Sequence, residues 1–98
     1  MLTGRPISGK RARELIARGP TLVFDTRDPV SYRNGTLPGA VNVQLRQVST
    51  LLRYPKTTNL IFVGTGPTDD TMLAIVNYAI QYGFTGVFVL SSIDDWNR

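Results

Sequence analysis

The sequence contains no cysteine and no histidine. Without cysteine there is no disulfide, no thiolate nucleophile, no persulfide carrier and no cysteine-ligated metal. Without histidine, the commonest general base and the commonest metal ligand are gone as well. Few cofactor-free mechanisms survive both absences, which weighs against an enzyme before any motif is read. No apolar run approaches the roughly 20 residues that span a bilayer. Met1 to Lys10 holds no apolar stretch of the kind a secretory signal needs. The expectation is a cytoplasmic protein with no metal and no cofactor.

What is present fits one small domain over residues 1–98, with a thin core. The net charge is +4 and unevenly placed. Residues 1–20 hold Arg5, Lys10, Arg11, Arg13 and Arg18 against Glu14 alone, whereas residues 21–98 hold six basic and six acidic side chains. Lys10, Arg11 and Arg13 are thus a candidate basic face for an acidic partner, nucleic acid or a membrane surface. The plainer reading is a solvated helix face. Few aromatics are interleaved with these charges, so the stacking platform for single-stranded nucleic acid is missing.

Alternating helical and apolar segments run along the chain. Ser8 is an N-cap for a helix over Gly9–Arg18, with an apolar stripe of Ala12, Leu15 and Ile16, and Gly19 stops it. Thr21 to Phe24 reads as a buried parallel strand. After the polar loop Asp25 to Asp28, the pair Asp28-Pro29 starts a short helix that Asn34-Gly35 closes. Leu37-Pro38-Gly39-Ala40 turns the chain into a strand at Val41 to Val43. Leu45 to Arg53 has apolar residues at 45, 48, 51 and 52, which is helical spacing. Leu60 to Val63 is the clearest buried strand, followed by a tight loop from Gly64 to Asp70 and a helix over Thr71–Tyr82 capped by Gly83. Val87 to Leu90 is the last strand, and Ser92 caps a final turn that lays Trp96 on the body. Strands alternating with helices predict an α/β fold, a small parallel sheet flanked by helices on both faces. Functional sites in such sheets lie at the C-terminal ends of the strands, where the loops after Phe24 and Val63 leave.

These residues resemble a known family. Leu22 to Pro29, then Tyr32, Gly35 and Leu37-Pro38-Gly39-Ala40-Val41-Asn42, are similar to the first signature of rhodanese-like domains. Leu60 to Val63 with its loop and long helix resembles that family's central strand, active-site loop and helix. Tyr82 to Val87 and Asp94-Asp95-Trp96 look like its closing pattern. The resemblance covers nearly the whole chain and implies the rhodanese-like fold. It also implies a catalytic cysteine at the start of the loop after the central strand, where Thr65 stands here. Asp70 falls near the place of the family's second loop arginine, with Asp69 beside it. Thr36 takes the place of a histidine, and Ser91 and Ser92 those of closing glycines.

Rhodanese chemistry needs a sulfur nucleophile that accepts and passes on sulfane sulfur. Gly64 and Gly66 suggest that the backbone cradle for its anion is kept. The side chains reverse its charge, since Asp69 and Asp70 disfavour an anion. A threonine hydroxyl is a weak nucleophile without a base, and an ordinary carboxylate is poorly matched to that task at pH 7. The aspartates have a structural role available: one of them, or Thr68, caps the helix and complements its dipole. Two adjacent carboxylates make a weak metal site. Asp25 and Arg27 are expected to brace the loops, and Trp96 to act as a hydrophobic clamp.

Three functions follow. The first is a non-catalytic rhodanese-like module that binds another protein through the degenerate loop Gly64, Thr65, Gly66, Pro67, Thr68, Asp69, Asp70 and Thr71. The second is an enzyme of altered chemistry at that loop, a hydrolase or one with a residual sulfurtransferase-related role. The third is a structural subunit that meets nucleic acid or an anionic membrane through its first helix. Self-association stays open.

Overall fold

The structure, a computed structural model, describes residues 4–97. The ends of the expected 1–98 domain, Met1 to Thr3 and Arg98, lie outside the described residues. Five parallel strands form one sheet: β1 (Arg5–Ile7), β2 (Thr21–Asp25), β3 (Val41–Asn42), β4 (Asn59–Val63) and β5 (Val87–Leu90), in the order β1-β5-β4-β2-β3. Three α-helices, α1 (Gly9–Arg18), α2 (Pro29–Asn34) and α3 (Asp70–Gln81), alternate with them, joined by 3-10 helices over Leu45–Arg53 and Ile93–Asn97.

The continuous apolar runs become central strands because both sheet faces are covered. On one face Phe24, Leu60 and Phe62 pack under α3 and the 3-10 helix 45–53, through Met72, Ile75, Val48 and Leu51. On the other, Val23, Ile61, Val63 and Leu90 meet Ala12 of α1, Ile93 and Trp96. Leu60, Ile61, Phe62 and Val63 are all fully buried, each stabilising the fold by about 1.5–3 kcal/mol relative to exposure. Trp96 is partly buried against this second cluster, as the clamp reading expects.

Helix starts follow the predicted caps. Ser8 accepts from Arg11 N, Asp28 from Ser31 N, and Asp69 from Met72 N. Leu37-Pro38-Gly39-Ala40 closes with an Ala40 N–H bond to Leu37 O, Gly39 having φ +73°. That fits a type II turn with proline second and glycine third. At the end of α3, Gly83 (φ +102°) bonds to Ile80 O and Phe84 N to Ala79 O, the paired bonds of a Schellman cap.

Three readings need correction. β1 was not foreseen, because a three-residue Arg5-Pro6-Ile7 has no alternation and holds a proline. An outer strand tolerates proline, whose missing N–H need not face a neighbour. The stretch 45–53 is a 3-10 helix rather than an α-helix: its buried residues, Val48 and Leu51, are spaced by three, the 3-10 period. Gly19 ends α1 as expected, in extended conformation at φ −174°. Finally, α3 begins one residue early, so Asp70 and Thr71 lie in its first turn rather than in the loop, and it ends at Gln81.

Candidate functional site

The sheet register sets Asp25 beside Val63 at the C-terminal ends of β2 and β4. Thr26 donates to Val63 O from both its N–H (2.9 Å) and its hydroxyl (3.2 Å). The two polar loops are therefore tied side by side.

Asp25 is fully buried and Arg27 pairs with it closely. Nε lies 3.1 Å from both carboxylate oxygens and Nη2 lies 2.8 Å from Oδ2. The Arg27 N–H also donates to Oδ1 at 2.9 Å, and the Thr36 hydroxyl to Oδ2 at 2.7 Å. Burial pushes the Asp25 carboxyl up, but the Arg27 bonds and the Thr36 hydroxyl outweigh it and hold the group below its ordinary value. Arg27 shifts upward, chiefly through its bond to Asp25. Nη2 also donates to Gly35 O at 2.5 Å, which pins the turn. Arg27 thus joins Asp25 to the Gly35 carbonyl, and its positive charge is neutralised in place. The sequence reading missed the rest of this network. Asn42 Nδ2 donates to the carbonyls of Asp25 and Arg27, Gln44 Nε2 to Arg27 O, and Tyr32 OH to Ala40 O. Tyr32 and Asn42 were visible only as signature letters, whose bonds no spacing reveals.

The loop after β4 is arranged around one carboxylate. Asp69 Oδ2 accepts from Thr65 N at 2.9 Å and from the Thr65 hydroxyl at 3.0 Å, while Oδ1 accepts from Met72 N at 3.0 Å. Burial raises the Asp69 pKa, and the Thr65, Met72 and Thr71 bonds together outweigh it and lower the group. A Cβ on Gly64 would lie 2.6 Å from Asp69 Oδ2 and 3.1 Å from Met72 Cβ. A side chain at 64 would therefore point into the loop's interior, where the Asp69 carboxylate now sits. Thr65 is exposed and reaches the same carboxylate from outside. The Thr65 N–H of the loop and the Met72 N–H of α3 are thus satisfied by an anion of the chain itself. Asp69, expected to be an exposed carboxylate, is half-buried, whereas Asp70 is exposed.

The two loops border a cleft of about 420 Å³ lined in part by Arg27, Ser31, Thr65, Ser92 and Asp94. Its walls offer hydroxyls, the Asp94 carboxylate and the Arg27 guanidinium, whose charge Asp25 balances. Gly66, Pro67 and Thr68 form the outer arm of the loop, with Pro67 and Thr68 exposed. Among the described residues, no group of three or more acidic side chains is placed to hold a metal ion. No helix among them is long and apolar enough to cross a membrane.

The basic face of α1 is less free than its composition suggests. Arg11 pairs with Glu14 at 3.1 Å, and Arg13 donates to Trp96 O, tying α1 to the closing 3-10 helix. Lys10 is exposed.

Three solved structures share this fold. A rhodanese-related protein from Thermoplasma volcanium matches with a TM-score of 0.74 at 19% identity, over 95% of this chain and 90% of that one. A rhodanese-like domain protein from Staphylococcus aureus gives 0.74 at 18%, over 94% and 90%. A single-domain sulfurtransferase from Saccharomyces cerevisiae gives 0.70 at 16%, over 99% and 91%. At such identities the likeness speaks for fold alone. The rhodanese-like domain profile goes further, matching residues 8–98. With four of the five strands, the Asp25–Arg27 pair and the loop after β4 inside that span, the chain belongs to the rhodanese-like domain family.

Proposed function

We propose that this is a non-catalytic rhodanese-like module that works by binding another protein, using the loop Gly64 to Thr71 and the cleft beside it. The observation that carries this reading is the Asp69 carboxylate seated on the loop's own donors, in a chain with no cysteine. Sulfur transfer needs a sulfur nucleophile and a site that welcomes its anion. This loop supplies neither, and a second anion there would meet Asp69 at short range. A shaped loop on a rigid scaffold is a natural recognition surface, and the cleft's hydroxyls and carboxylate suit a partner rich in hydrogen-bond donors. The chain is read as one domain acting in the cytoplasm.

The test is an interaction screen with wild type and a T65A/D69A variant. A partner that binds wild type and loses affinity for the variant supports the module. Partners held equally by both would remove the loop from the reading, and thiocyanate produced from thiosulfate and cyanide would overturn it.

One observation favours a second reading. Thr65 Oγ1 and Asp69 Oδ2 stand 3.0 Å apart, a hydroxyl beside a carboxylate. As a general base, however, Asp69 is weakened by the bonds that lower its pKa. A panel of chromogenic esters and phosphates, with T65A as the control, decides it: hydrolysis that T65A abolishes would replace the first reading.

A further inference from the structure

Between Pro29 and Thr68 the chain carries Arg33, Arg46, Arg53 and Lys56 and no acidic residue. From Asp69 to Asn97 it carries Asp69, Asp70, Asp94 and Asp95 and no basic one. The even charge count after residue 20 therefore hides two segregated blocks. The acidic block starts at the cap Asp69 and holds α3, β5 and the closing 3-10 helix. The basic block holds the outer strand β3 and the 3-10 helix 45–53. Lys56 is engaged within the fold, its ammonium 4.5 Å from the Phe84 ring centroid.

β3 lies at the margin of the sheet and pairs with β2 alone. Val41 on it is 44% exposed. A groove of about 200 Å³ runs alongside, bordered by Val41, Gln47, Thr50 and Arg53. The 3-10 period accounts for that lining, since residues three apart stack in one row. Val48 and Leu51 form the buried row, 47, 50 and 53 the groove row, and 46, 49 and 52 the row toward solvent. Leu45 (40%) and Leu52 (53%) are exposed on this helix, as are Arg46 and Arg53. Among the described residues the ion pairs are Arg11–Glu14 and Arg27–Asp25, so neither arginine is in one.

We infer that the β3 margin and the 3-10 helix 45–53 form a docking surface for an acidic segment of another protein that also carries apolar side chains. Its arginines would meet the acidic groups, and Val41, Leu45 and Leu52 the apolar ones. Two other occupants fit less well. A second copy presenting this same face would set arginine against arginine. Nucleic acid would leave three exposed aliphatic side chains without an apolar partner. The inference rests on the reading of the chain as an interaction module but not on its loop.

The probe is a synthetic peptide of alternating glutamate and leucine, with a lysine-for-glutamate counterpart as control, titrated into the 15N-labelled chain. Amide shifts are expected in Val41–Tyr54, with affinity falling about tenfold or more in R46E/R53E and as salt is raised. L52S weakens binding, K10E/R18E on α1 does not, and T65A/D69A leaves it intact. Shifts centred on α1, equal binding of the lysine peptide, no binding at all, or self-association through Val41–Tyr54 in place of peptide binding would each overturn the proposal. Sulfur transfer by the chain would sink the non-catalytic reading without touching this surface, so the two failures are distinguishable.

Discussion

Asp25 is fully buried yet held in its ionised form, because Arg27, the Arg27 N–H and the Thr36 hydroxyl all point at it. R27M would leave that carboxylate without its cation and is expected to cost about 3 kcal/mol in urea denaturation. The pH dependence should move too. The wild-type Asp25 pKa is depressed, so its stabilisation is complete above the unfolded value near 3.8 and disappears as pH falls through the folded one. In R27M, burial acts without the arginine and the Asp25 pKa rises toward or past its unfolded value, so the acid-induced loss contributed by Asp25 shrinks or reverses, and the variant's deficit relative to wild type narrows as pH falls. At Asp69 the arrangement is local, a cap plus a loop clasp. D69A is expected to cost roughly 1–2 kcal/mol and to free the Thr65 and Met72 amides, which hydrogen exchange would report as lost protection. The Asp25–Arg27 brace was expected from the family resemblance and a cap at Thr68, Asp69 or Asp70 from local chemistry, but the Thr36 and Thr65 bonds were not. Hydrogen bonds between Thr36 and Asp25, or Thr65 and Asp69, depend on turns that bring distant positions together.

The regular elements were easier to foresee. The central strands announce themselves as apolar runs, and Ser8, Asp28-Pro29 and Gly83 mark helix ends by local chemistry alone. What resisted reading was decided by neighbours. β1 exists because β5 offers it a pairing edge, with Arg5 lying 4.7 Å over the Phe88 ring. The 3-10 form of Leu45–Arg53 follows from a burial pattern that one helical template describes nearly as well as another. Gly9 is a case of close approach hidden in a good helix start. A Cβ there would lie 2.1 Å from the Asp95 carbonyl oxygen and 2.3 Å from that of Trp96. G9A should therefore destabilise the chain by about 1–3 kcal/mol, against the gain of about 1 kcal/mol that alanine ordinarily brings to a helix. A lower melting temperature with α1 still helical by circular dichroism would be the expected outcome.

For the molecule as a whole, the missing histidine and cysteine shape the response to pH. No side chain has an ordinary pKa between about 5 and 8. Asp25, Asp28 and Asp69 all lie below their ordinary value of 3.8. Stability should be nearly flat from about pH 5.5 to 7.5 and fall below about pH 4, as those carboxylates protonate. Denaturation midpoints across that range would check it. The same scale carries the central claim: a rhodanese-like fold is kept in a chain without cysteine, and its loop after β4 closes on the Asp69 carboxylate. The most direct measurement is a thiosulfate titration of the 15N-labelled chain. The Thr65 and Met72 amides are expected to stay unmoved, because the Asp69 carboxylate occupies their donors. Saturable shifts at those amides would contradict the account.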